Sequence, residues 1–211
     1  MYALNVNIIS TQMMRFKIYR AITIIFFLLT LLVNFSPVPT TEQWVTVRGI
    51  ATMLFVFLFF VCYALLLSIF NYYNEAGWKN VSVIIFLSGN SVFYFLSLSR
   101  GTPNLFFNFF ILIFYLPFVV AFATMNAQEI KPLAQSFAYL MLIICLLHIV
   151  LPFIRDRIDL SVYRYFFNAI FLFPPVMLVL LFHKMTVVSG KKVEDDEQKD
   201  GQGDVERHDL L

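Results

Sequence analysis

A chain of 211 residues that is 60% hydrophobic and only 13% charged has too little polar surface to coat a water-soluble globule. Ordinary soluble domains run about 45–50% apolar and about 25% charged. The net charge of +2 is too small to attract nucleic acid, so the first partner is the lipid bilayer and the expected class is an all-α integral membrane protein.

Residues 1–20 read as a cytoplasmic leader ending in Arg15, Lys17 and Arg20, with Met13 and Met14 as alternative starts. The first apolar run is 21–35. A basic flank before an apolar run also fits a signal peptide, but Asn34-Phe35-Ser36-Pro37 offers no small-residue cleavage site, so a retained helix is expected. Residues 38–49 read as a loop with an interfacial Trp44. The stretch Ile50–Phe70 is 21 residues without Lys, Arg, Asp, Glu or His. As a helix it is about 31 Å long, close to the thickness of a bilayer's hydrocarbon. A second helix is therefore expected over 50–72, then a tight connection at 74–79 containing Trp78.

The third expected helix, 81–99, is the most polar inside, with Ser88-Gly89-Asn90-Ser91 near its middle. The fourth, 105–125, contains Pro117; the fifth, 133–154, contains His148 and Pro152. The sixth, 166–182, is interrupted by Pro174-Pro175. From 183 to 211 the composition turns charged and apolar-poor, which predicts a disordered cytoplasmic tail. The sum is a six-transmembrane-helix bundle over 21–182 with short loops. Ten Lys and Arg on the side of the two termini against five on the other place both termini in the cytoplasm.

Within these six spans there is no Lys, Arg, Asp or Glu. Buried ionisable groups mark proton relays, ion paths and intramembrane catalysis, so those functions are disfavoured. No nucleophile–base pair, phosphate loop or metal-ligand spacing is present, and neither a catalytic residue nor a cofactor is assigned. Cys62 and Cys145 sit in apolar runs and read as small hydrophobes. His148 reads as a hydrogen-bonded helix residue, with a haem, metal or quinone contact as the functional alternative.

Ser88, Asn90 and Ser91 read as helix–helix glue. If the chain is two inverted halves of three spans, the polar run of helix three and Pro174-Pro175 of helix six occupy matching places. Matched breaks of this kind point to a transporter's midplane site. With His148, these residues form the candidate substrate site. Arg155 and Arg157, in the loop Arg155-Asp156-Arg157-Ile158-Asp159, are candidate head-group contacts. Glu206 with Leu210 and Leu211 resembles an acidic dileucine sorting signal.

Three functions follow from these readings. The first is a scaffold or accessory subunit that packs against a membrane-protein partner or a second copy. The second is a small permease or lipid-handling transporter, and the third an interfacial lipid-modifying enzyme. Sparse cysteines and small outer loops favour a bacterial cytoplasmic membrane over a eukaryotic endolysosomal one.

Overall fold

The computed structural model describes residues 2–36, 42–100, 105–154, 166 and 168–208, and every regular element among them is an α-helix. In chain order these are α1 (Tyr2–Phe35), α2 (Glu42–Ala64), α3 (Leu66–Tyr72), α4 (Gly77–Arg100), α5 (Leu105–Ala123), α6 (Lys131–Ile154) and α7 (Phe173–His208). Four stretches are long and apolar enough to cross a bilayer: Thr11–Phe35, Glu42–Tyr72, Lys131–Val150 and Asn168–Lys191. These place the protein in a membrane. The fully described apolar stretch of α5 is shorter, Ile111–Ala123, and in α4 the Ser, Gly and Asn residues dilute the apolar run.

Helix boundaries differ from the sequence expectation in five places. No Pro or Gly interrupts residues 1–35, so the expected leader is instead part of α1. Phe16 anchors it by meeting Tyr72 edge to face at 5.4 Å. The expected loop 38–49 is helical from Glu42, because the breakers Pro37 and Pro39 lie before it and only Gly49 follows. Thr46 and Thr52 add hydroxyl bonds back to the carbonyls of Glu42 and Arg48. Expected helix three is not broken at Ser88–Ser91: α4 runs through, and Asn90 Nδ2 donates to the Phe86 carbonyl at 2.8 Å. In expected helix six the chain turns at Phe171–Leu172. Pro174 and Pro175 stand in the first turn of α7, where a missing N–H costs nothing. The tail expected to be disordered continues α7 as helix to His208; its Lys, Glu and Gln residues are good helix formers despite Gly201 and Gly203.

The long helices form a closed ring, α1–α2–α4–α5–α6–α7, with α7 returning against α1. That last contact is antiparallel. Arg20 Nη1 lies 3.0 Å from His183 Nδ1, and Tyr19 meets Phe182 edge to face at 5.8 Å. α3 continues the path of α2 past a bend at Leu65, whose carbonyl is claimed by both the backbone N–H and the hydroxyl of Ser68. Such back-bonding bends helices.

Lipid gives helices no hydrophobic incentive to associate, so packing must hold the ring. Aromatic rings supply it. Phe86 stacks on Phe118 at 4.3 Å, Phe118 meets Phe122 at 4.9 Å, and Phe122 meets Phe137 edge to face at 5.3 Å. Phe70 joins them at 4.8 Å from Phe122, and Tyr63 lies 5.0 Å from Phe86. All six side chains are buried, and they form a dense plug across the half of the bundle that holds the α3–α4 and α5–α6 connections.

Candidate functional site

Beyond that plug the ring opens. A cavity of about 280 Å³ lies in the half of the bundle toward the α1–α2, α4–α5 and α6–α7 connections, and all six long helices contribute to its walls. Tyr63 and Met141 line its deep end, where the Tyr63 hydroxyl points at the Met141 sulfur at 3.6 Å. Asn90, Phe93 and Tyr94 come from α4, and Phe114 and Tyr115 from α5. His148, Phe171, Pro174 and Pro175 lie toward the far end. Among the described residues, no Asp, Glu, Lys or Arg lines this space.

The polar groups inside are few and partly committed. Asn90 is buried; its Nδ2 spends one proton on the Phe86 carbonyl, and its Oδ1 accepts a long 3.4 Å bond from the Tyr115 hydroxyl. An amide carries two donors and two acceptor positions, so Asn90 retains one of each. His148 Nδ1 lies 2.9 Å from the carbonyl oxygen of Ile144. A carbonyl can only accept, so Nδ1 carries the proton and Nε2 of the neutral ring is left as an acceptor. The imidazole and the Phe171 ring pack edge to face, with centroids 5.3 Å apart. The cavity thus offers aromatic walls, one amide, one imidazole acceptor and tyrosine hydroxyls. That set suits a neutral, flat, partly polar molecule.

Four of the residues expected at a site therefore meet at one cavity: Asn90, His148, Pro174 and Pro175. The other two do not. Ser88 and Ser91 are exposed on the outside of α4, and Ser91 Oγ donates to the Leu87 carbonyl at 2.9 Å. Gly89 between them is the neighbour that matters. A Cβ there would lie 2.2 Å from Phe114 Cγ, so only glycine lets α5 lay this ring against α4. His183 is held by Arg20 on the opposite side of the plug and shares no centre with His148. Arg155, Arg157, Leu210 and Leu211 lie outside the described residues, and the Glu206 side chain lies outside them too. Among the described residues, no three His, Cys, Asp or Glu side chains converge as metal ligands.

The plug end carries a polar cluster that the sequence reading did not single out. α3 ends at Tyr72; past its cap the chain turns at Asn74, a non-glycine at φ 49°, and the N–H of Glu75 closes back on the Phe70 carbonyl at 2.9 Å. This αL ending delivers Glu75 to Lys79 one turn on. Glu75 Oε2 and Lys79 Nζ are 2.7 Å apart, with side chains 2% and 3% exposed. Lys79 also donates to the Thr124 carbonyl at 2.7 Å, and the N–H of Asn126 donates to Glu75 Oε1 at 2.7 Å. Burial alone would push the Glu75 carboxyl up; the Lys79 ammonium and the N–H groups of Asn126 and Ala127 outweigh it and hold the group below its usual range. The pair ties the α3–α4 elbow to the α5–α6 connection. Its one sequence trace is the i,i+4 spacing of opposite charges.

No protein-family model, curated protein or solved structure matches the chain.

Proposed function

We propose that this protein is a small permease that binds a neutral, flat molecule bearing a hydrogen-bond donor. The observation that carries the reading is the aromatic cavity walled by all six long helices, with no charged side chain among its described lining residues. Its volume is just below the range of about 300–1,000 Å³ found for ligand pockets, so the cargo is small. Among the described residues an ion would find no counter-charge there, and its desolvation would be unrepaid. Asn90 and His148 Nε2 orient the cargo, and the Phe and Tyr walls exchange its hydration for ring contacts.

In this reading α4 and α5 complete a six-span bundle with both termini on the cytoplasmic side. Arg15, Lys17, Arg20, Lys184 and Lys191 at the plug end support that orientation. The cavity then faces outward and the plug closes the inner side. The test uses indole as probe in proteoliposomes. Uptake that saturates and falls at least about tenfold in Ile144→Trp, which fills the cavity, supports the reading. Uptake unchanged by Ile144→Trp and by Asn90→Leu refutes it.

A second reading, a scaffold or accessory subunit, is favoured by the outer half of α2. From Glu42 to Ile50 its side chains, Trp44 among them, are exposed except for the half-buried Arg48, and Met53 and Phe57 are exposed further along. A partner helix seated there would co-purify with the protein, and Met53→Lys would release it.

A further inference from the structure

At the plug end, on the outside of the ring, α1 and α3 part around a second pocket of about 200 Å³. We propose that it binds the phosphodiester head group of an anionic phospholipid from the adjoining leaflet. Arg15 reaches it from α1 together with Gln12 and Tyr19, and Ser68 and Asn71 face them from α3. Arg15 is exposed, and among the described residues no carboxylate pairs with it. A guanidinium presents parallel N–H donors whose spacing matches two phosphate oxygens. Asn71 Oδ1 accepts from Asn80 Nδ2 at 2.9 Å, which leaves the Asn71 amide N–H protons as further donors on this lining. Gln12 and Tyr19 add an amide and a hydroxyl. The lining is therefore rich in donors and carries a single positive charge, the complement of a phosphodiester.

Depth and shape point to a lipid rather than a soluble anion. The pocket lies beside Tyr72, where the apolar stretch Glu42–Tyr72 ends, which is head-group level for a spanning helix. It is too small for acyl chains. These have a path, because Ile22 and Leu29 continue the Arg15 edge of α1 at seven-residue steps, and both are half-buried. The pocket is separated from the large cavity by the aromatic plug, and the proposal stands whether or not that cavity carries a cargo.

The test is native mass spectrometry of the full chain released from micelles containing equal amounts of phosphatidylglycerol and phosphatidylcholine with matched acyl chains. The parent should retain phosphatidylglycerol in preference, and Arg15→Gln should lower that retention about tenfold, the loss expected for one bidentate charged contact. Arg15→Lys should fall between the two, because it keeps charge without the fork. Lys17→Gln should match the parent, since two residues turn the side chain to the opposite side of α1. Equal retention of both lipids, an Arg15→Gln protein that retains as much as the parent, or displacement of the lipid by millimolar inorganic phosphate would each overturn the proposal.

Discussion

Lys79→Met is the substitution with the largest expected effect on stability. The Lys79 ammonium, 3% exposed, sits 2.7 Å from Glu75 Oε2 and 2.7 Å from the Thr124 carbonyl. Methionine keeps the length of the side chain but removes both charge-assisted bonds, each worth about 1.5–3 kcal/mol. It also leaves a carboxylate that is 2% exposed without its counter-ion. Breaking one half of such a pair costs about 3–5 kcal/mol. The lower end applies here, about 3 kcal/mol, because Glu75 keeps the Asn126 N–H and can relax by taking a proton. Glu75→Gln should cost less, about 2 kcal/mol, since Lys79 retains two carbonyl-type acceptors. The double variant leaves no buried charge and should be more stable than Lys79→Met alone. Unfolding by SDS titration of the protein in mixed micelles measures all four states of this cycle. A Lys79→Met protein within about 0.5 kcal/mol of the parent, the range of an ordinary surface change, would refute the reasoning. So would a double variant whose loss equals the sum of the two singles.

The same cluster predicts an acid dependence. The Glu75 carboxyl titrates lower in the folded chain than its ordinary 4.5, so its stabilisation is complete above that value and is lost as pH falls through the lowered folded one. A pH series of SDS titrations should show the parent weakening below about pH 4.5 and Glu75→Gln responding less; equal slopes would contradict this. Gly89→Ala should cost about 1–3 kcal/mol by overpacking and abolish indole binding. The added methyl must displace Phe114, whose Cγ stands 2.2 Å from the new Cβ. Unaltered binding with unaltered stability would show that α4 and α5 are not so closely apposed. Ser91→Ala, whose hydroxyl returns to its own helix on an exposed face, should leave indole uptake within about twofold of the parent, a change well under 1 kcal/mol.

How much of this was legible in the residues depends on what each feature rests on. Apolar runs identify membrane helices because length and hydropathy are summed along the chain, and the long runs at 21–35, 50–72 and 133–154 fall within described helices. Helix ends were less legible. Glu42–Gly49 reads as a polar loop, yet nothing in it stops a helix, and Pro174-Pro175 reads as an interruption although proline suits a first turn. At the cavity, Asn90 and His148 stood out as polar residues inside apolar runs, whereas Phe114, Tyr115 and Met141 are indistinguishable in sequence from ordinary core. Ser88 and Ser91 share the polarity of Asn90 but not its face, because one step along a helix turns a side chain by about 100° and two steps by about 200°. The Glu75–Lys79 cluster was hidden because two of its acceptors and donors, the Thr124 carbonyl and the Asn126 N–H, belong to the backbone of a connection some fifty residues downstream.

The most direct measurement of the central claim, an uncharged cargo cavity above an aromatic plug in a lipid-solvated ring, is a structure in lipid discs soaked with indole. The account predicts ring-shaped density between Asn90, Tyr115 and His148, with Phe86, Phe118 and Phe122 closed beneath it. A bundle whose helices have moved in to fill that space, or a cavity that leaves indole unbound while holding a charged side chain, would contradict it.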